Sequence, residues 1–147
     1  MNKILVVCVG NICRSPVAEG LLKAALPDAE VWSAGLGALV GNPADPMAAG
    51  IAKDHGIDIS EHRAQQIAGW MLVKADLVLC MEAGHQRELQ KQYPTARGKI
   101  RRLGDFGAGG AFDVADPYRQ TRAAFETAHA NISRGVNDWV HRIKQLA

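Results

Sequence analysis

The sequence predicts an α/β protein: a four-stranded parallel sheet with helices on both faces, flavodoxin-like and doubly wound. Two observations carry that prediction. Ile4 to Val9 is a continuous apolar run, and Ala75 to Met81 is apolar but for Asp76 near its start, as strands buried on both faces require. Helical stretches stand between the strand-like runs, which is the order that builds a parallel sheet. In such sheets ligands gather beyond the carboxyl ends of the strands, so the loops after the first and fourth strands are the places to look for chemistry.

The elements follow in order. The first strand is Ile4 to Val9, broken by Gly10-Asn11. Ser15-Pro16 offers an N-cap hydroxyl and a proline at the first helical position, so a helix starts there and runs through Ala18, Leu21, Leu22 and Ala25 to a stop at Pro27. Glu30 to Ala34 reads as the second strand, and Gly35 to Pro46 is rich in turn residues. Met47 to His55 is helical up to Gly56, and Ser60 to Trp70 reads as a further helix, with Asp58, Glu61 and Arg63 as charges at its start. Ala75 to Met81 is the third strand, Glu82 to Tyr93 a helix ended by Pro94, and Lys99 to Leu103 a short fourth strand. After the glycine-rich Gly104–Ala115 loop, Pro117 to Ala147 carries one long amphipathic helix with Phe125, Ile132, Val136, Trp139, Val140 and Ile143 on its apolar face.

The 147 residues fit a single domain, 1–147, able to bury one sizeable core, with no repeat or linker. Hydrophobic residues make up 48% and charged residues 22%, an ordinary globular balance. At a net charge of +2 with scattered basic residues, no nucleic-acid stripe emerges; Lys99, Arg101 and Arg102 read as a solvated strand end. Three cysteines do not make a disulfide framework, and the apolar start is too short for a leader or a span, which points to a soluble cytoplasmic protein without membrane insertion. The five histidines show no metal-ligand spacing, so no cofactor or metal is expected. Trp32, Trp70 and Trp139 read as packing residues, and Cys80 as a core thiol. A monomer or weak dimer is expected.

The informative segment is Cys8-Val9-Gly10-Asn11-Ile12-Cys13-Arg14-Ser15. A loop from a strand end to a helix start turns several N–H groups into one concavity, and the helix N-terminus adds partial positive charge. That is an anion site of phosphate size. Gly10 is expected to let the backbone curl, and Asn11 suits a tight or left-handed turn that its amide can hold. The groups that bind phosphate also favour a thiolate at Cys8. Arg14 can fork two hydrogen bonds onto phosphate oxygens, and Ser15 can donate its hydroxyl to the Cys8 sulfur. The loop thus suits covalent catalysis through a phosphocysteine. A leaving phenol needs an acid. Asp113 and Asp116 both follow strand four, and Pro117 fixes how Asp116 projects, with Tyr118 beside it as a pocket wall.

CVGNICRS near the N-terminus, SAGLGALVG after the second strand and DPYR before the last helix together resemble the low-molecular-weight protein tyrosine phosphatases, over essentially the whole chain. The resemblance implies the phosphotyrosine phosphatase I-like form of the fold and hydrolysis of protein phosphotyrosine. It implies Cys8 as nucleophile, Arg14 as phosphate clamp, Ser15 as thiolate partner, Asn11 as loop organiser and Asp116 as general acid, then base. Val9, Gly10, Ile12 and Cys13 complete the loop, and Ile12, Leu39 and Tyr118 the substrate pocket. SAGLGALVG is most similar to bacterial members paired with autophosphorylated tyrosine kinases of capsule or exopolysaccharide export, which makes such a kinase the expected partner. Leu39 and Val40 stand where the eukaryotic branch places an aromatic, leaving peptide preference open. Cys13 is either an apolar filler or a redox partner that forms a reversible disulfide with Cys8.

Competing readings share the loop. In related arginine phosphatases threonine stands at the position of Ile12, whose apolar face suits a phenyl ring better than a guanidinium. A thioredoxin-linked arsenate reductase needs two relay cysteines beyond the loop, and only Cys80 is present. A sugar-transport phosphocarrier also holds a phosphocysteine but should lack an internal acid such as Asp116. It would take up one phosphate and stop. A phosphate-binding module without catalysis would not need every one of these groups.

Overall fold

In a computed structural model, which describes residues 1–146, the sheet has four parallel strands. These are β1 (Lys3–Cys8), β2 (Glu30–Gly35), β3 (Leu77–Cys80) and β4 (Ile100–Arg102), in spatial order β2-β1-β3-β4. The helices are α1 (Arg14–Ala25), α2 (Pro46–Asp54), α3 (Gly69–Lys74), α4 (Ala83–Gln92) and α5 (Arg122–Gln145), with a 3₁₀ turn at Pro94–Lys99.

The two-residue period of β1 sorts its side chains onto two cores. Ile4, Val6 and Cys8 join the side chains of α1, α2 and α5 on one face. Leu5 and Val7 join those of α3 and α4, including Met71, Leu72 and Leu89, on the other. Residues 4 to 7 are fully buried, which is why the run has no polar member. Helix α5 lies close to the loop after β4: a Cβ on Gly135 would meet the Leu103 backbone oxygen at 2.9 Å. No helix among the described residues is long and apolar enough to cross a membrane.

Three sequence expectations need correction. Residues 60–68 are not helical; the helix is confined to Gly69–Lys74. The backbone hydrogen bonds of this segment go to distant partners instead. The Gly35 N–H donates to the Gln65 carbonyl, and the Ile67 N–H to the Gly35 carbonyl. Gly41 and Asn42 bond Ala64 in the same way. The segment runs alongside the end of β2 as a wall, and Asp58 accepts from the Ser60 N–H rather than starting a helix. Second, α5 starts at Arg122, not Pro117. Thr121 is its N-cap, its hydroxyl accepting from Ala124 N–H at 3.2 Å, and residues 117–120 form a turn. Third, Trp70 is 58% exposed, so it is not a packing residue, whereas Trp139 is buried against Phe106. Ala147, the predicted end of the last helix, lies outside the described residues.

Candidate active site

Cys8 ends β1 and Arg14 begins α1, so residues 8–15 form the turn between them at the carboxyl edge of the sheet. The carbonyls of residues 8–12 are all spent on the surrounding protein. Cys8 O accepts from Leu36 N–H, Val9 O from Gly37, Gly10 O from Leu39 and Ile12 O from Asp45. The Asn11 carbonyl meets His62 Nε2 at 2.6 Å. In a trans peptide the N–H points opposite to its C=O, so a loop whose carbonyls face outward turns its N–H groups inward. The result is an anion cradle completed by the N-terminus of α1.

Asn11 is the hinge of the turn. Its φ is +58°, in the left-handed region, and it is fully buried. Its amide Nδ2 donates to Ser15 Oγ at 2.7 Å and to Ser33 Oγ at 2.9 Å, and its Oδ1 accepts from the Gln65 N–H. Gly10 does not have the expected steric role. Its φ is not in the left-handed region, and a Cβ there would meet Ile12 at 3.6 Å, an ordinary contact. The glycine that closeness requires is Gly35, where a Cβ would lie 2.4 Å from the Val9 carbonyl oxygen.

Ser15 is not the N-cap of α1. It lies inside the helix, and its Oγ is 2.9 Å from Cys8 Sγ. Because Asn11 already donates to that oxygen, the Ser15 proton is available to the sulfur, which suits a thiolate. The same logic runs outward: Ser33 accepts from Asn11 and donates to Glu19 Oε1 at 2.5 Å. An acceptor-only carboxylate thus ends a chain of oriented bonds that reaches the sulfur. Glu19, Ser33, Gln65 and His62 were not singled out in the sequence: Ser33, His62 and Gln65 bond Asn11 across 22 to 54 positions, and Glu19 joins only through Ser33.

Arg14 is 1% exposed. Its Nη1 donates to Glu82 Oε2 at 2.5 Å and to the Val114 carbonyl at 2.8 Å, and its Nη2 lies 3.7 Å from Asp116 Oδ2. Glu82 is a further group that spacing could not have linked to Arg14, being 68 positions away. Asp113 and Asp116 are separated clearly. Asp113 is tied to Arg102 at 2.7 Å and accepts from the Ala83 N–H, and Arg102 holds its carboxyl below the usual range against the cost of burial. Asp116 faces the cavity, its Oδ1 accepting from the Tyr118 N–H.

The cavity, of about 200 Å³, is lined by Cys8, Val9, Gly10, Ile12, Cys13, Arg14, Gly37, Leu39, Asp116 and Tyr118. Every residue expected in the pocket is there; Val40 is not in its lining. The floor is polar and the walls are apolar, a shape suited to an anion carried on a flat apolar group. Cys13 is a buried thiol, pushed up to about 12 by burial first, and then by the negative groups Asp45, Cys8 and Asp116. It is protonated at neutral pH. Cys80, buried in β3, is likewise pushed up to about 12 by burial. All three cysteines are free.

Residues 3–147 match the family model described as low molecular weight phosphotyrosine protein phosphatase. A Ralstonia solanacearum relative named "Probable low molecular weight protein-tyrosine-phosphatase EpsP" is 54% identical over 99% of both chains. The solved structure of Vibrio vulnificus Wzb in complex with benzylphosphonate is 43% identical, covers 96% of this chain and 98% of that one, and superposes with a TM-score of 0.91. The YwlE arginine phosphatase from Geobacillus stearothermophilus is 32% identical, with coverage of 99% and 94% and a TM-score of 0.91.

Proposed function

This chain belongs to the low molecular weight phosphotyrosine protein phosphatase family and is a protein-tyrosine-phosphatase, and from that premise we propose that Cys8 attacks the phosphorus while Arg14 and the loop N–H groups hold the equatorial oxygens. Asp116 gives its proton to the departing tyrosine oxygen. Ser15 donates to the sulfur when it is a thiolate, before attack and again as it leaves. In the second half, Asp116 takes a proton from the water that attacks the phosphocysteine, and phosphate departs. Two preorganised elements supply the transition-state stabilisation, donors aimed at the phosphoryl oxygens and a proton donor at the leaving group.

The observation that carries this reading is the 2.9 Å Ser15–Cys8 contact at the floor of a cavity that also holds Arg14 and Asp116. The apolar walls, Ile12 and Leu39 with Tyr118, favour a phenyl ring over a guanidinium. The benzylphosphonate in the Vibrio relative, a phosphonate on a benzyl group, is consistent with that preference. We read the physiological substrate as an autophosphorylated tyrosine kinase of exopolysaccharide or capsule export, on the resemblance of residues 33–41 to bacterial members with that role. The cytoplasm is the reducing compartment that three free thiols fit.

Steady-state turnover of a phosphotyrosine peptide beside phosphoarginine and phosphoserine tests the assignment. Turnover is expected on phosphotyrosine. A preference for phosphoarginine would keep the thiolate chemistry and overturn the substrate. A single turnover that never cycles would identify a carrier and remove the role given to Asp116.

A further inference from the structure

Arg119 sits at the lip of the cavity, next to Tyr118. Its guanidinium carbon is 5.2 Å from the centroid of the Tyr118 ring, and that ring is part of the cavity wall. The side chain is exposed, and among the described residues no carboxylate lies within 4.0 Å of it. Its φ is +61°, a conformation that glycine or asparagine adopts with less strain. Among the described residues Asn11 is the other non-glycine with positive φ and is held there by three side-chain hydrogen bonds, whereas the Arg119 side chain makes none.

The rest of the lip is apolar. Val9 and Leu39, both in the cavity lining, are each 40% exposed. The entrance is therefore asymmetric, greasy on the side of the loops after β1 and β2 and cationic on the side of the turn before α5. Asp116 lines the cavity three positions before Arg119, and it must be protonated to act as acid on the leaving tyrosine. In that form Arg119 is the uncompensated charge at the lip.

We infer that Arg119 is a specificity-determining residue that recognises an anionic group flanking the phosphotyrosine in the same peptide. Stacking on Tyr118 fixes the cation beside the cavity while leaving its donors free for a carboxylate or a second phosphate. This rests on the assignment of the 8–15 loop as the site of phosphotyrosine hydrolysis. The contact is an exposed ion pair, so its expected effect is about three- to fivefold in kcat/KM, carried by KM and weakened by salt.

The test compares three phosphotyrosine peptides that differ only beside the target residue: two flanking glutamates, two glutamines, or a second phosphotyrosine. Arg119→Asn suits the left-handed backbone and removes the charge; Arg119→Glu reverses it. Wild type should favour the glutamate peptide over the glutamine peptide by about three- to fivefold. The ratio should fall to about one in Arg119→Asn and below one in Arg119→Glu, with the wild-type ratio collapsing at high salt. A gain confined to the doubly phosphorylated peptide, lost in Arg119→Asn, would identify phosphate as the flanking anion. Equal turnover of all three peptides by wild type, or a preference that persists in Arg119→Asn, overturns this inference alone. Turnover of none of them overturns the site assignment, and the inference with it.

Discussion

The turn of residues 8–15 and the loop of residues 103–121 meet at one cavity, yet they are built in opposite ways. Cys8 and residues 11 to 15 of the first are buried, and the carbonyls of residues 8–12 and the side chains of Asn11 and Ser15 are tied into the protein. The second is anchored at its base, where Gly104 packs against Phe112 and Val114 bonds both Met81 and Arg14. Beyond Val114 it runs over the surface: apart from Pro117, residues 115–121 are exposed. The proposed nucleophile, Cys8, thus belongs to the core, and the proposed proton donor, Asp116, to the rim. A phosphoryl group is the same in every substrate, so its cradle gains from being rigid. The leaving group and the peptide around it vary, and they are met by the exposed loop.

Changes at the core end should be the most severe. Cys8→Ser removes the nucleophile and should reduce turnover of a phosphotyrosine peptide by roughly a millionfold, to background. At the rim, Asp116→Ala should slow turnover by about 100- to 10,000-fold while leaving binding of inorganic phosphate near its wild-type strength. Asp113→Ala is the control. Tied to Arg102 and Ala83, Asp113 is expected to affect stability rather than the pH profile of kcat. An equal loss from both aspartates would mean that neither is singled out as the acid.

Asn11→Ala tests how far the cradle depends on its wiring. It leaves the Gln65 N–H without its acceptor and removes the donor to the Ser15 and Ser33 hydroxyl oxygens, so unfolding in urea should show a loss of about 2–3 kcal/mol. Its activity should fall as well, because the Ser15 hydroxyl is no longer oriented towards Cys8. A variant as stable as wild type would show that the turn is held by its backbone alone.

The smallest effect lies beneath the rim. His129 on α5 is buried and stacked on His55 with ring centroids 4.2 Å apart, and neither of its ring nitrogens has a partner among the described residues. Burial, and then the neighbouring His55, hold it below the ordinary histidine range. The unfolded chain therefore takes up this proton first. The stability that a neutral His129 contributes is complete above about pH 6.5 and is lost as pH falls through the lower folded-state value. His85, shifted in the same direction by burial, adds a similar slope. Urea midpoints from pH 8 to 5 should decline in wild type and decline less in His129→Phe. Parallel curves would remove His129 as a source.

These two regions also differ in how well they could be read from the sequence. The β1–turn–α1 unit was legible because its signals are local: an apolar run, a cysteine and an arginine at fixed spacing, and a proline in the first turn of α1. What holds the turn was not legible. Glu19, Ser33, His62 and Gln65 reach it across the fold, and no periodicity encodes such contacts. Residues 60–68 were misread as helix for the same reason, since their backbone bonds go to Gly35, Gly41 and Asn42 rather than to one another. Ser15 looked like a cap because a serine before a proline usually is one; its hydroxyl is instead engaged with Cys8 and Asn11. At the rim, Asp-Pro-Tyr pointed to Asp116, which lines the cavity, but the helix begins only at Arg122, which leaves room for the turn that presents Tyr118 and Arg119.

The most direct test of the account is to mix wild-type protein with a phosphotyrosine peptide, quench within the first turnover, and locate the phosphate by mass spectrometry of the digested chain. The account predicts phosphate on the sulfur of Cys8, accumulating further in Asp116→Ala at a pH where release is slow. Phosphate on Cys13 or on a histidine, or continued turnover with no phosphorylated intermediate, would contradict it.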